Sequence, residues 1–343
     1  MSKSQDRLLG VDLAKVLAMF FVVAIHLSNR SICPSSGMSI KPFVDSVAMT
    51  GVDIFAIASG YVGVCSAFKI SRLIKLWLRV VVLGCGMLLT LKIIGVPDVG
   101  LKSICKSLLP ITTNQYWYIT AYFPLALFAP LVNEGIKIVP KNVIRIILVV
   151  LIAAIGSCAL VGLDSCKINY GYSFLWLLIL YVFGAYWRLY INEIFSTIKL
   201  SYCFISIVAL SGLSRLVSIM GNIGFMEYTS PVTLALSIVV FALCLNLRQV
   251  NPKMNKIIHS LSLTSLSVYI LHDNRIFSGR VLSPFLKSLQ IETAYGWLLM
   301  ITSFAVFIYM SASLIEFLRV FLFRVLGINK FAECFDRLLV EQI

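Results

Sequence analysis

VDLAKVLAMFFVVAIHLSN, residues 11–29, is an almost unbroken apolar run that carries the ionisable residues Asp12, Lys15 and His26. At a rise of 1.5 Å per residue, about twenty residues cross roughly 30 Å of hydrocarbon, so the run is a membrane span and not an amphipathic core helix. Comparable runs recur near 44–65, 77–96, 116–134, 143–162, 173–190, 202–220, 230–247, 261–272 and 296–318. The ninth is too short to span unaided, and is expected to extend past His272 or to sink against its neighbours. The chain therefore reads as an all-α, polytopic transmembrane helix bundle of about ten spans, one domain over residues 1–343. Composition points the same way: 59% hydrophobic residues and 13% charged ones, with a mean hydropathy of +0.95, exclude a water-soluble globular domain.

Lysine and arginine set the orientation, because loops on the cytoplasmic side of a membrane are enriched in them. With the N-terminus inside, about eighteen fall inside and eight outside, so both termini are expected in the cytoplasm. The net charge of +14 then reports this bias and an attraction to anionic lipid, and no nucleic-acid partner is implied. The end of the first run, His26-Leu27-Ser28-Asn29, lacks a small-residue cleavage pattern, so that run is expected to remain as the first helix. Nine scattered cysteines without paired spacing imply neither a metal nor a redox site, and act as small apolar residues. No internal repeat or linker divides the chain.

Chemistry is sought among ionisable residues inside the spans, since a charge at the bilayer centre costs about 2.5–3.5 kcal/mol on insertion scales. Lys15 and His26 are eleven residues apart, three turns plus roughly 20°, and so share one helix face about 16 Å apart along the axis. Asp12 lies on that face and can pair with Lys15. Either Lys15 snorkels to the surface while His26 sits at the far interface, or the stripe faces a cavity. In the second case His26 is the obvious general base, because an imidazole with a pKa near 6.5 takes a proton from a hydroxyl at neutral pH.

In the second span, Gly51-Val52-Asp53-Ile54-Phe55-Ala56-Ile57-Ala58-Ser59-Gly60-Tyr61 places a carboxylate near mid-membrane and a glycine where another helix or a ligand can approach closely. Lys69, Arg72, Lys75 and Arg79 then follow at spacings of three and four, on one helical face. This face is either ordinary interfacial anchoring or a phosphate-binding patch suited to a nucleotide carrier. Trp117, Tyr118 and Tyr122 form either an interfacial aromatic belt or a surface on which a sugar stacks. His272 with Asp273 is either a carboxylate-oriented second histidine or a polar helix end. His259 is expected in a solvated cytoplasmic loop, and Arg215 within a span needs an acidic partner such as Glu227 or a bound anion.

These features together resemble the integral-membrane acyltransferase family 3, whose members acylate sugars of surface polysaccharides and other glycoconjugates. The resemblance covers most of the chain. It rests on Asp12, Lys15 and His26 in the first span, where the family usually has arginine at the Lys15 position, and on Gly51, Asp53, Phe55, Ser59, Gly60 and Tyr61 in the second. The basic start of the third helix matches less strictly, as Lys69-x-x-Arg72-x-x-Lys75. Gln115 to Tyr122 leading to Pro130, Tyr228-Thr229-Ser230-Pro231 and Ser267-Val268-Tyr269-Ile270-Leu271-His272 are similar to later family segments.

The resemblance implies transfer of an acyl group, most often acetyl from acetyl-CoA, to a sugar hydroxyl of a surface or lipid-linked glycan. It further implies a bacterial cytoplasmic (inner) membrane as the setting and no tightly bound cofactor. It implies catalysis by His26 with Asp12, Lys15 and Asp53, CoA phosphates near Lys69, Arg72 and Lys75, and an acceptor near Ser59, Tyr61, Trp117, Tyr122, Tyr269 and His272. Intramembrane Asp, Lys, Arg and His also mark transporters and flippases, but the chain lacks two halves with matching interrupted helices.

Overall fold

A computed structural model describes residues 3–219, 227–247 and 251–340. The helices are α1 (Lys3–Arg30), α2 (Lys41–Gly63), α3 (Ile70–Ile93), α4 (Leu101–Leu108), α5 (Trp117–Ile138), α6 (Lys141–Leu160) and α7 (Phe174–Tyr186). They continue as α8 (Asn192–Ser196), α9 (Leu200–Ile219), α10 (Pro231–Asn246), α11 (Pro252–His272), α12 (Ser283–Ser288), α13 (Ala294–Val325) and α14 (Ile328–Val340). By length and composition, seven helices among the described residues can cross a membrane, one of them the continuous run Phe174–Phe195 through α7 and α8, and two shorter apolar helices, in α9 and α10, accompany them. The protein is a polytopic helical bundle.

Local chemistry sets several helix starts. Ser173, Ser230, Asn251 and Thr293 cap α7, α10, α11 and α13 through side-chain oxygens that accept from backbone amides of the first turn. Proline at Pro231 and Pro252 occupies the first helical turn, where its missing N–H costs nothing. The ninth expected span is longer than the apolar run because α11 extends backwards to Pro252, not onward past His272. His259 consequently lies within α11 and not in a loop, with Nδ1 2.7 Å from Asp12 Oδ2. The last residue of the seventh expected span, residue 220, and Arg248 of the expected cytoplasmic set lie outside the described residues. The short amphipathic helices α4 and α14 went unforeseen, being too brief or too polar to register as spans.

Packing places α2 at the centre: two thirds of its best apolar window is buried inside the protein, against 28% for α3, α5 and α6. The closest crossing is between α2 and α7. A Cβ built on Gly60 would stand 1.9 Å from the Tyr181 carbonyl oxygen, and one on Gly184 would stand 2.0 Å from that of Ile57. Two glycines facing each other let the backbones touch, which is how helices associate where lipid supplies no hydrophobic drive. Polar pairs then fasten the bundle. Asn133 of α5 donates to Gly63 O and accepts from Tyr181 OH, both at 3.0 Å. Glu316 of α13, 1% exposed, receives both nitrogens of Arg319 at 2.7 Å and Arg79 of α3 at 3.1 Å. A buried carboxylate needs such forked partners to offset desolvation.

One end of the bundle carries the Asp12–His259 contact, the start of α3 and α14; His26 lies toward the other. At the α14 end, Lys69 precedes α3 without a side-chain cap. Asp336 of α14 supplies one, accepting from Ser71 N at 2.9 Å and Ser71 Oγ at 2.6 Å, while Glu333 accepts from Lys75 Nζ at 2.7 Å.

Both carboxyls sit below the ordinary carboxylate range, Asp336 through hydrogen bonds from the Ser71 side chain and backbone and Glu333 through the hydrogen bond and charge of Lys75. Groups depressed by docking contribute stability that is full above their undocked pKa of about 4 and is lost as pH falls through the docked values. α14 is thus expected to stay docked at neutral pH and to release in acid, whereas Asp336→Ala releases it at pH 7. Amide hydrogen exchange over residues 70–74 and 328–337 measures this; protection in Asp336→Ala equal to that of the parent at pH 7 would refute the capping role.

Candidate active site

Two imidazoles meet where α1 passes α11. His26 Nδ1 lies 2.9 Å from His272 Nε2, and His272 Nδ1 lies 2.6 Å from the Val268 carbonyl oxygen one turn earlier. A carbonyl only accepts, so His272 Nδ1 carries the proton. With both rings neutral, His272 Nε2 is then an acceptor, and His26 Nδ1 must donate to it. The second nitrogen of His26, Nε2, is left with a free lone pair. This histidine keeps 20% of its side chain accessible, whereas His272 is buried, 1% exposed.

A carboxylate stands beside the pair. Asp273 Oδ1 is 3.5 Å from His26 Nδ1 and accepts from Arg30 NH2 at 2.9 Å. Arg30 also donates to the His26 carbonyl at 3.3 Å. The four side chains form a chain in which one ring faces outward and the rest fix its tautomer and orientation, as a second shell does for a reactive imidazole.

His26 opens onto a small cavity of about 50 Å³ with Met19 and Val22 of α1, Val52 and Phe55 of α2, and Leu266 of α11. Its remaining wall is aromatic: Trp117, Tyr118, Tyr228 and Tyr269. Trp117 packs against Tyr172 and Tyr228 at ring separations of 4.7 and 5.8 Å. The Tyr269 hydroxyl is buried and has no side-chain or backbone acceptor within hydrogen-bond geometry among the described residues.

A second and much larger cavity, about 870 Å³, lies toward the α14 end. Its mouth holds Lys69, Arg72 and Lys137, and Ser59, Tyr122 and Leu266 stand among its walls. Lys137 is paired with Glu134 at 2.7 Å. Lys69 and Arg72 have no ion pair within 4.0 Å among the described residues, and Arg72 donates to the Ala67 carbonyl at 3.0 Å. Leu266 lines both cavities, and Tyr122 in the larger one stacks on Tyr118 in the smaller, with ring centroids 5.9 Å apart and planes within 10°.

The remaining candidates stand elsewhere. Asp12 accepts from Ser262 at 2.8 Å besides holding His259, and Lys15 is half-buried one turn further on with Asp12 as its charged neighbour. Neither lines either cavity. Asp53 is fully buried and accepts from Trp176 Nε1 at 3.1 Å, its other oxygen having no hydrogen-bond partner among the described residues. Tyr61 turns toward the junction of α7 and α8: its hydroxyl donates to Asn192 at 2.6 Å and accepts from Arg188 at 3.2 Å, and the Arg188 guanidinium covers its ring at 4.9 Å. Lys75 is occupied by Glu333. Arg30, Tyr228 and Tyr172 were not singled out as site residues beforehand. For Arg30 a signal existed, since it follows His26 by four residues and so shares its face. Arg215 is exposed. Among the described residues no cluster of three or more His, Cys, Asp or Glu side chains could hold a metal ion.

The tautomer argument has a direct spectroscopic consequence. Side-chain nitrogen spectra of the labelled protein near neutral pH should show His26 and His272 each protonated at Nδ1 and bare at Nε2, whereas free histidine favours the opposite tautomer. A protonated His26 Nε2 in the neutral ring would remove the free lone pair.

No curated protein and no solved structure matches the chain. The family model described as an acyltransferase domain, that of acyltransferase family 3, matches residues 8–316, from the early turns of α1 to Glu316 of α13, and leaves α14 beyond its end. A bundle of apolar helices with an oriented histidine on its narrow cavity, matched over that length, belongs to acyltransferase family 3 as a membrane-bound member.

Proposed function

We propose that the protein transfers an acetyl group from acetyl-CoA to a sugar hydroxyl of a surface or lipid-linked polysaccharide. The observation that carries this reading is the pair of cavities sharing Leu266, a wide basic-mouthed one toward the α14 end and a narrow one at His26. The lysine and arginine bias assigns the α14 end to the cytoplasm, where CoA is found. Lys69 and Arg72 then receive the CoA phosphates, charge-assisted contacts suited to these side chains. The pantetheine arm runs along the apolar walls past Ser59 and Tyr122 toward Leu266, and irregular polar cargo is tolerated at membrane depth only inside such a cavity.

The acceptor sugar enters from the His26 end, against Trp117 and its tyrosine neighbours. His26 Nε2 takes the proton of the acceptor hydroxyl as its oxygen attacks the thioester carbonyl. Collapse of the tetrahedral species breaks the C–S bond, and the proton passes from His26 to the CoA sulfur. His272 keeps the ring in the reactive tautomer, while Asp273 stabilises the imidazolium that forms between the two steps. The Tyr269 hydroxyl contacts the substrate oxygens. Asp12 acts at a distance by holding α11 through His259 and Ser262, and Asp53 by holding Trp176.

Purified protein given labelled acetyl-CoA and a glycan extract should place label in an alkali-labile ester; uptake into vesicles without covalent change would favour a transporter. His26→Gln keeps hydrogen bonding but cannot accept a proton at neutral pH, so kcat should fall by about a hundred- to ten-thousandfold. Near-normal transfer by this variant would take the imidazole out of the chemistry. Arg72→Ala, at an exposed position, should raise KM for acetyl-CoA several-fold with kcat nearly unchanged; an unaltered KM would move the phosphates elsewhere.

A further inference from the structure

The narrow cavity invites the question of how large a group can react at His26. The space beside it is about 50 Å³, against about 870 Å³ in the larger cavity, so a long acyl chain has little room there. Each further methylene of a longer acyl chain must displace a wall.

The α1–α2 wall is the least able to yield. A Cβ on Gly51 would stand 2.5 Å from the Ala18 carbonyl oxygen and 2.8 Å from Val22 Cγ2, so the two backbones are already in contact behind Val22. Val22 and Val52 are 6% and 5% exposed, β-branched and therefore stiff at the first side-chain torsion. Val22 lies one turn before His26 on the same helix face, about 6 Å along the axis, and with Val52 it forms the side wall that an acyl group at the ring would press against. Met19 lies one turn deeper, and its flexible thioether adapts where the two valines do not.

We propose that Val22 and Val52 are the acyl-length determinants of this site, restricting the donor to a two-carbon acyl thioester. The inference rests on the reading of His26 as the transfer point. A rigid apolar pocket discriminates by about ten- to two-hundredfold for each methylene, so propionyl-CoA should be used about tenfold less efficiently than acetyl-CoA, and butyryl-CoA less again.

The test measures kcat/KM for acetyl-, propionyl-, butyryl- and hexanoyl-CoA in parent, Val22→Ala, Val52→Ala and Val22→Ile proteins reconstituted in bilayers, with acetyl transfer as the internal reference for each. Expected is a rise of at least tenfold in the butyryl-to-acetyl ratio for either alanine variant, and loss of residual propionyl transfer in Val22→Ile. The isoleucine variant keeps the core filled, so it reads the wall even if an alanine variant fails to accumulate. A parent that uses all four donors alike, or ratios unchanged in every variant that accumulates, would overturn the length determinant while leaving His26 acyl transfer standing. A parent that uses none of the four donors would overturn both.

Discussion

Bare glycine faces at Gly60 and Gly184 bring the α2 and α7 backbones into contact, and much of the interior depends on that approach. In hydrocarbon, apolar side chains gain little by leaving lipid for protein, so association rests on close packing and on polar pairs. Drawing α7 onto α2 brings Trp176 within reach of Asp53 and Asn192 within reach of Tyr61. It also brings Tyr181 to Asn133 of α5. Each pairing satisfies a group that would otherwise be stranded away from water at a cost of several kcal/mol. A methyl at either glycine would collide with a carbonyl of the opposite backbone, which no rotamer change can relieve.

The same cost of unpaired groups orders the reactive end. Val268 O accepts from His272 as well as taking its place in the helix, and this fixes which nitrogen of His272 is bare. The bare nitrogen in turn fixes His26. Orientation of the exposed imidazole is thus a consequence of main-chain geometry in α11, transmitted through one buried ring. Arg30 completes the arrangement by holding Asp273 within reach of the pair; on the proposed mechanism the carboxylate then stands ready when His26 takes a proton and is compensated by Arg30 when it does not.

The spans were legible because their signal is local: a run of apolar residues declares itself whatever it packs against. His26 stood out for the same reason, as an ionisable residue toward the far end of such a run, and His272 with Asp273 read as either a carboxylate-oriented second histidine or a polar helix end. What joined them was not legible, because residues 26 and 272 are brought together by the crossing of α1 and α11, which no periodicity encodes. Asp12 illustrates the reverse error of scale. Its place on the His26 face is real, yet it sits about 20 Å along the axis from His26, and helix-face arithmetic says nothing of the α11 residues, His259 and Ser262, that engage it there. Lys75 shares a basic face with Arg72, but α14 claims one and leaves the other to the cleft. That helix is amphipathic and short, and only its carboxylates, three residues apart at Glu333 and Asp336, hinted that it faces a basic partner.

Placing a narrow chamber at the histidine and a wide one toward the basic end also separates two requirements that conflict in a single site. Holding a large polyanionic carrier calls for a roomy, charged, water-accessible cleft. A thioester attacked by a sugar hydroxyl calls for exclusion of water, which would otherwise compete as the acceptor. With Leu266 as the shared wall, charge is concentrated at the larger cavity, where the proposed carrier would bind, and the lining around His26 is apolar and aromatic except for the imidazole, the indole N–H and the tyrosine hydroxyls. Under the proposed acyl transfer, the apolar and aromatic lining around His26 would keep competing water from the thioester.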